Sequence, residues 1–501
     1  MPESQRYLYT YNAYEPGLFG LQHEVSSVGK LGLEVSTYKE LKETFRNLCD
    51  RLGERALSRM DPQNALVTPE PVSEELARYM MEIQGYDELP LLLDVGNKGA
   101  DEVCERILEN GNLMDNLRNW VKIGAKPLLT PRTYTTASIY LAEQLGIYHG
   151  HKTPLLLPNG ENTPNLEGIY PTSNYLEAHP AEINNSKVLN YLIQDEVDKE
   201  LGISLNPEGG VAYDIERIVE IVKLLERKGK EIMIKGDLSV DGMGNLHIDM
   251  RNDKYEELAL ERLDRDQLKE YIARKLGAKG IPLGESAGVV VTEYLREKIA
   301  DPSYEVYSPP SNWNIQPFIY YSCGMIIENG GFAGSIIPDQ MLGIPSELQG
   351  EYISAMNEVQ KAIIAFSTKK WREGYVGISD CDAAICMNNE GHLYAKILEY
   401  NYNRETGGTA SYHLLEKLGK GKGMVIARDT IEGPGYAYPI PVIRERIGKH
   451  GYKYGGIGGI ILGHRINPLG ETGKIMSLVY ASNLEDALAY DKALRELALK
   501  S

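Results

Sequence analysis

Phenylalanine is scarce in this chain, with 5 residues in 501 against 33 tyrosines. Most large aromatic bodies therefore carry a hydroxyl, which needs a partner wherever it is buried. Cysteine is scarce too. Cys49, Cys104, Cys323, Cys381 and Cys386 are odd in number and scattered, with no C-x-x-C pair, which excludes a disulfide framework. Basic residues are outnumbered, 53 Lys and Arg to 71 Asp and Glu, for a net charge of −18. That deficit speaks against nucleic acid or an anionic membrane as partner, since both need a basic footprint. No apolar run approaches the roughly 18 residues that a membrane span requires, and the start, Met1-Pro2-Glu3-Ser4, has no apolar h-region of a signal peptide. The expectation is a soluble, reduced, cytoplasmic protein. What is present suits globular folding: 42% hydrophobic residues and a length that suggests roughly three domains. Glycine, at 50 residues, is above the usual share, so many backbone positions need freedom or close approach.

Along the chain, residues 1–84 read as a helical extension without chemistry. Leu41 to Leu57 has near-helical apolar spacing, and Pro62, Pro69 and Pro71 break it. From 85 to 180, short apolar runs (Leu89 to Val95; Pro127-Leu128-Leu129) alternate with helical segments, as in a small parallel α/β domain. The Gly96/Gly99 loop is read as a tight strand-to-helix turn. His149 and His151 have metal-ligand spacing but no third ligand nearby. After Asn184 a helix runs from Val188 to Leu201, capped by Asn185 or Ser186 and stopped by Gly202, and a second spans Ile215 to Leu225. The pairs Gly455-Gly456 and Gly458-Gly459 follow a loop and lead into a strand, the reverse of dinucleotide-site order, and are read as close strand packing. Ser482 and Glu485 form a capping box for a final helix.

Two segments carry chemistry. Ile232-Met233-Ile234-Lys235 is a strand ending in lysine, followed by a glycine-bearing hairpin (Gly242, Gly244) and a returning strand, Leu246-His247-Ile248. A lysine there offers a point charge to phosphate oxygens, and glycines let backbone N–H groups approach. Lys187, at a helix start, offers a second charge. The other segment is acidic. Asp382 lies on a buried strand, and Glu399, Asn401 and Asn403 alternate on the returning strand, so period two puts those three on one face. Carboxylate and amide oxygens are the hard ligands Mg²⁺ takes, with nucleotide phosphates completing its shell. Arg404 is placed to neutralise a transferring phosphate.

With these residues in order (Lys187, Lys235, the Gly242/Gly244 hairpin, Asp382, Glu399-x-Asn401-x-Asn403-Arg404 and Gly407-Gly408-Thr409) the chain resembles the ATP-grasp superfamily of carboxylate–amine ligases. Within it, the chain is most similar to the pheganomycin-type peptide ligases. That likeness rests on the segment Pro127 to Gly146, on Gly407-Gly408-Thr409, and on the tail from Gly458 through Ala487. The resemblance implies an α/β fold: a pre-ATP-grasp parallel α/β domain (85–180), a two-lobed ATP-grasp domain (181–411) and a small C-terminal α+β domain (412–501). It implies ATP and Mg²⁺ as cofactors. Lys187, Lys235, Gly242 and Gly244 would hold the nucleotide, and Asp382, Glu399 and Asn401 or Asn403 the metal. Arg404 and Lys235 would serve catalysis. The segment Trp313 to Ile319 sits where the superfamily carries its lobe-linking strand, so Gln316, Phe318 and Ile319 would line the adenine, with Tyr320 and Tyr321 at its edge.

The implied reaction is amide formation. A substrate carboxylate attacks the γ-phosphate, giving an acyl phosphate and ADP, and an amine displaces phosphate. The partners are small-molecule carboxylates and amines, amino acids or peptides among them, and a homodimer stays open. Two other readings also stay open: a kinase on the same scaffold, and a catalytically silent nucleotide-binding regulator. Here the metal motif is one residue longer than the superfamily pattern, which leaves Asn401 and Asn403 as alternatives. Gln316 replaces a common Glu, and a charged helix near Asp264 to Leu276 is either a lid or part of a larger lobe.

Overall fold

The computed structural model describes residues 6–10, 52–96, 103–131, 136–149, 186–237, 245–255, 258–279, 281, 283–284, 288–309, 315–328, 331–341, 344–373, 375, 377–402, 407–419, 422–436, 438–467 and 473–499. Its first unit is a parallel sheet of β1 (Tyr7–Thr10), β2 (Ala65–Thr68), β3 (Leu91–Asp94), β4 (Leu128–Pro131) and β5 (Tyr148–His149), in the order β3-β2-β1-β4-β5. Between them run α1 (Glu74–Gln84), α2 (Val103–Glu109), α3 (Gly111–Val121) and α4 (Thr136–Leu145). Alternation along the strands divides the packing. Leu8, Val67 and Leu129 join Ile107, Leu117 and Leu141 in a core with α2 to α4. Tyr9 and Leu66 instead join Leu57, Met60 and α1 residues in a core shared with the C-terminal unit.

This corrects the expected first boundary. The two central partners of the sheet, β1 and β2, come from residues read as a helical extension. Each is four residues long, and Pro62 and Pro69 flank β2. Strands that short form only when parallel neighbours distant in the sequence supply their hydrogen bonds.

The next helix, α5 (Lys187–Leu201), starts at Ser186, whose hydroxyl accepts from Leu189 N at 3.0 Å, and stops at Gly202 with φ +67°. A four-stranded antiparallel sheet follows, order β6-β11-β7-β8, from β6 (Gly209–Ala212), β7 (Ile232–Gly236), β8 (Asn245–Ile248) and β11 (Val289–Glu293). A short ribbon, β9 (Lys254–Tyr255) with β10 (Leu258–Ala259), lies between. α6 (Ile215–Arg227) and α7 (Arg265–Ala278) cover one face, burying Val222, Ile234, Leu268, Ile272 and Val291 together. The charged helix that stood open as a lid is thus α7, part of this small lobe's core.

The larger sheet contains β12 (Lys298–Ala300), β13 (Pro302–Ser308), β14 (Phe318–Glu328), β15 (Gly331–Ile337), β16 (Gly377–Met387) and β17 (Leu393–Tyr402). On its rear, α5 and α8 (Gln349–Arg372) pack Leu189, Ile193, Val359 and Phe366 against Ile385, Ile397 and Tyr400. The C-terminal α+β unit has α9 (Gly407–Gly419), β18 (Met424–Gly433), α10 (Ile440–Ile447), β19 (Gly458–Asn467), β20 (Gly473–Ala481) and α11 (Leu484–Ala498). Its strands extend the same sheet through β15. The fold class is the expected one, a parallel α/β unit followed by two antiparallel lobes and a C-terminal α+β unit. Close strand packing at the glycine cluster is also present: a Cβ on Gly459, at φ +152°, would lie 2.5 Å from Tyr452 N. The final helix is capped by Asn483, which accepts from Asp486 N, rather than by Ser482.

The chain crosses between the lobes twice, through residues 202–208 and through Tyr294–Glu297. The first crossing is nailed to the large lobe: Asp198 accepts from Leu205 N and Asn206 N at 2.8 Å, and Ile397 N donates to Leu205 O. Glu293 joins the two crossings. Its carboxylate accepts from Glu208 N at 3.0 Å and pairs with Lys230 at 2.7 Å, while its own N–H donates to Glu208 O. Arg296 binds Glu231 and Asp249, holding the second crossing to the small lobe. Among the described residues no helix is long and apolar enough to cross a membrane.

Candidate functional site

The uncovered face of the small sheet looks toward the large lobe. Register puts Lys235 opposite Val290 and Met233 opposite Thr292 and His247, so these side chains share that face. Lys235 Nζ reaches across the cleft and donates to Leu398 O at 2.8 Å. Lys187, the first residue of α5, meets the next residue of the same strand: its Nζ lies 3.2 Å from Glu399 Oε1. The two lysines, from different elements, converge on consecutive residues of β17. Burial pushes the Lys235 ammonium down and Lys187 adds to that, while Glu399 and Asp382 pull it back.

One residue brings the lysines together that the sequence did not flag. Asp237 follows Lys235-Gly236, and its Oδ1 accepts from Ser186 Oγ at 2.6 Å and Val188 N at 2.9 Å. Its carbonyl accepts from Lys187 N. A carboxylate at a helix N-terminus meets unpaired N–H groups and the positive end of the dipole. Asp237 thereby locks the start of α5 to the end of β7.

The acidic strands pair as the alternation requires. Asp382 lies opposite Glu399 and Asp380 opposite Asn401. Asn401 Nδ2 donates to Asp380 Oδ2 at 3.3 Å. Burial and the facing Glu399 push the Asp382 carboxyl up to about 7, against the Ser303 hydroxyl and Lys235, which lower it. Asp380 is raised well above the carboxylate range, by burial first and then by Asp382 and Glu305. Tyr400, one residue off this face, points the other way and stacks on Phe366 at 3.8 Å, with its hydroxyl donating to Gln194 at 2.6 Å.

Fit to a divalent cation can be judged from this donor set. Among the described residues no three His, Cys, Asp or Glu side chains are grouped to hold a metal. The strands offer two facing carboxylates with one amide two residues along. That set is short of a closed cage, which suits Mg²⁺, an ion that keeps waters and binds through one or two carboxylates plus phosphates.

The expected lobe-linking segment is corrected. β14, which begins at Phe318, lies inside the large sheet between β13 and β15. The segment that carries the chain from the small sheet to the large one is Tyr294–Glu297. Tyr294-Leu295-Arg296-Glu297 is half charged and carries no strand pattern of its own, so only sheet membership marks it as the crossing. Gln316 and Phe318 are exposed and Ile319 half-buried, away from the lysine pair, and Phe318 packs on Tyr307 at 5.8 Å. Beside the true crossing, Leu295 forms a small apolar cluster with Ala384, Cys386 and Leu398.

Two cavities flank these residues. The smaller is lined by Lys187, Asn190, Lys235, Leu398 and Glu399. The larger, of about 1220 Å³, lies along the crossings and is lined by Lys230, Glu231, Met250, Glu293, Leu295 and Lys396 among others. Of the candidate site residues, Lys187, Lys235 and Glu399 line the smaller one. Gly242, Gly244, Asn403 and Arg404 lie outside the described residues, as do His151 and Trp313. Of the metal candidates, Asp382, Glu399 and Asn401 are brought to one face.

No family model matches the chain, and no curated protein does. Solved structures are similar to it over nearly their whole length. One is an ADP complex of an N5-carboxyaminoimidazole ribonucleotide synthetase, 12% identical with a TM-score of 0.46, covering 99% of this chain and 97% of that one. The Staphylococcus aureus synthetase with ADP is 10% identical with a TM-score of 0.44, covering 98% and 97%. The biotin carboxylase domain of a thermophilic 2-oxoglutarate carboxylase, bound to ADP, is 13% identical with a TM-score of 0.42, covering 98% and 89%. Likeness at this level says nothing about activity, which has to come from this chain's own residues.

The tyrosine excess finds part of its place near the site. Tyr321 stacks on Tyr412 at 4.7 Å, and Tyr320 meets Tyr412 edge-on at 4.8 Å, where β14, α9 and the first unit come together. Arg59 covers the Tyr9 ring at 4.6 Å in the same region. Tyr320 and Tyr321, expected at the edge of an adenine pocket, belong to this junction. The expectation followed the misplaced lobe link.

Proposed function

We propose that the chain is an ATP-dependent carboxylate–amine ligase of the ATP-grasp type, forming an amide through an acyl phosphate with release of ADP and phosphate. The observation that carries the reading is the convergence of Lys187 and Lys235, from α5 and β7, on the strand that presents Glu399 opposite Asp382. Two cations beside two carboxylates, with Lys235 reaching over from the small lobe, suit a polyphosphate with a divalent ion between them. The two lysines offer point charges to phosphate oxygens, and phosphoryl transfer asks for little beyond positioning and charge neutralisation.

In this reading Lys187 exchanges Glu399 for phosphate oxygens, and Lys235 exchanges the Leu398 carbonyl for them. Asp382 and Glu399 would hold Mg²⁺ with Asn401, which register places on their face. Asn403 remains the alternative. Bound there, the ion would neutralise phosphate charge. Leu295, Ala384 and Leu398 would pack the adenine beside the second crossing. Arg404 would neutralise the transferring phosphoryl group and the Gly242/Gly244 hairpin would cover the phosphates, as the sequence resemblance implies. The likeness of the Pro127 to Gly146 and Gly458 to Ala487 segments to pheganomycin-type peptide ligases supports an amino acid or peptide as substrate.

The test is ADP release screened over a carboxylate-by-amine library, with mass spectrometry of products. Amine-dependent release of free phosphate together with an amide product supports the ligase. Phosphorylated product without free phosphate would point to a kinase, and absence of ATP turnover with every pair would leave a nucleotide-binding regulator.

A further inference from the structure

Lys187 and Lys235 belong to different lobes. Lys235 lies on β7 of the small sheet, whereas Lys187 opens α5, whose Leu189 and Ile193 are buried with Phe366, Ile397 and Tyr400 of the large lobe. The chain crossings lie at the start of β7, where Ile232 pairs with Glu293 and Glu231 O accepts from Tyr294 N. Lys235 stands further along that strand, by about 10 Å at the usual rise. A turn of the small lobe about the crossings would change the spacing of the two ammonium groups unless a second tie held them.

Asp237 is that tie. A helix leaves its first N–H groups without partners, and those of α5 are filled from the small lobe. Lys187 N donates to Asp237 O at 3.1 Å, and Val188 N to Asp237 Oδ1 at 2.9 Å. Ser186 Oγ, which caps Leu189 N at 3.0 Å, donates to the same Oδ1 at 2.6 Å. Asp237 is buried, with 6% exposure. The positive end of α5 could itself take a phosphate, but Asp237 already occupies it. The cavity beside it, lined by Lys187, Lys235 and Glu399, therefore offers ammonium groups to an anion rather than helix N–H groups. The path from Lys235 to Lys187 runs through Gly236 and Asp237 alone, shorter than any path through a crossing.

We propose that Asp237 is a positioning residue that holds Lys187 and Lys235 as one fork across the two lobes, so that the site reads two neighbouring phosphate groups at once. The assignment rests on the ligase reading for the place of the nucleotide, and it deepens that reading: the nucleotide carries at least a diphosphate, and the fork keeps its width while the small lobe moves. The role needs an acceptor at Oδ1, which an amide supplies as well as a carboxylate, so it does not depend on the charge of Asp237.

The experiment is calorimetric titration of the full chain with MgATP and, separately, with AMP, which has a single phosphate for the fork to hold. Asp237→Ala should weaken MgATP binding about tenfold, the scale of losing the hydrogen bonds that fix an ammonium group, and AMP binding by no more than about twofold. Asp237→Asn should stay within about twofold of the wild type for both, since an asparagine oxygen accepts at a helix N-terminus as well as an aspartate one. In a chain already carrying Lys187→Met, Asp237→Ala should cost MgATP no more than about threefold, because a residue acting through another loses its effect with it. Ser186→Ala, which removes one of the two donors to Oδ1, should show the same preference for MgATP with a smaller loss, and it replaces Asp237→Ala should that variant fold poorly. The proposal is overturned if Asp237→Ala leaves MgATP affinity unchanged, if it weakens MgATP and AMP alike as a merely structural residue would, or if Asp237→Asn is as damaging as alanine. Absence of nucleotide binding by the wild-type chain would reject the nucleotide site, and the fork with it. The expected pattern together with no ADP release for any carboxylate and amine pair would retain the fork and reject the ligase reading.

Discussion

Lys187 Nζ stands 3.2 Å from Glu399 Oε1, with only 7% of the lysine side chain exposed. The pair bridges the start of α5 and the end of β17, and in the proposed site the two groups part to serve phosphate and metal. Glu399→Gln should therefore remove MgATP turnover by a factor on the order of 10²–10³, the usual loss when one preorganised electrostatic group is deleted. Lys187→Met should raise KM for ATP. Steady-state ADP release measures both, and full turnover by Glu399→Gln would show that the site is elsewhere.

The position of the lobe crossing makes a separate demand. Leu295→Ala should raise KM for ATP roughly tenfold, the scale of losing an apolar contact of about 1–3 kcal/mol. Gln316→Ala and Phe318→Ala should leave KM for ATP unchanged, because β14 lies within the large sheet. The opposite pattern in the kinetics would return the adenine to the Gln316 segment.

Lys370 gives the fold a pH signature. It is 1% exposed, and burial pushes its ammonium down to about 8, only partly offset by Glu373. Below that pH both folded and unfolded chains hold the proton. Between about 8 and 10.5 the folded chain has released it while the unfolded chain has not, so stability should rise with pH across that window. Lys417, pushed to about 8 by burial, acts in the same direction. Denaturant melts from pH 7 to about 9, below the range where the buried Cys323 and Cys381 thiols oppose it, should show the rise, and Lys370→Met should flatten it in part. An unchanged slope in the variant would assign the effect to other groups.

The C-terminal unit is held by Arg428 and Asp491. Arg428 Nε and Nη2 each meet one oxygen of Asp491 at 2.7 Å, and Asp491 is 1% exposed. Removing Arg428 strips the buried Asp491 of its two-pronged partner and leaves it Arg495 Nε at 3.2 Å. Arg428→Ala should cost about 1–3 kcal/mol and lower the unfolding midpoint, whereas replacing both residues with apolar ones should recover part of the loss. Chemical denaturation of the three variants checks the ordering.

Much of the candidate face was legible because it depends on local rules. Period two on the strand after Asn388 put Glu399 and Asn401 on one side and Tyr400 on the other, and the pairing of β16 with β17 agrees. Ser186 and Gly202 mark α5 because caps act within one turn. Asp237 and Glu305 were not legible, since neither has a local motif. Asp237 matters only because α5 begins beside it, and Glu305 only because β13 lies between β14 and β16. The first boundary failed for the same reason: Tyr7–Thr10 is too short to announce itself without its parallel neighbours.

The sequence alone determined the identity of the charged groups, the order in which they occur, and the alternation that turns them to one face, because those follow from residue chemistry and backbone period. Tertiary structure alone decided which segment crosses between the lobes, which acids stand opposed, and where the tyrosines gather. Those are matters of sheet membership and register. Pairing between residues as distant as Tyr7 and Leu128, or Ser303 and Asp382, is set by competition among many similar apolar strands for one buried core, and no local pattern records its outcome.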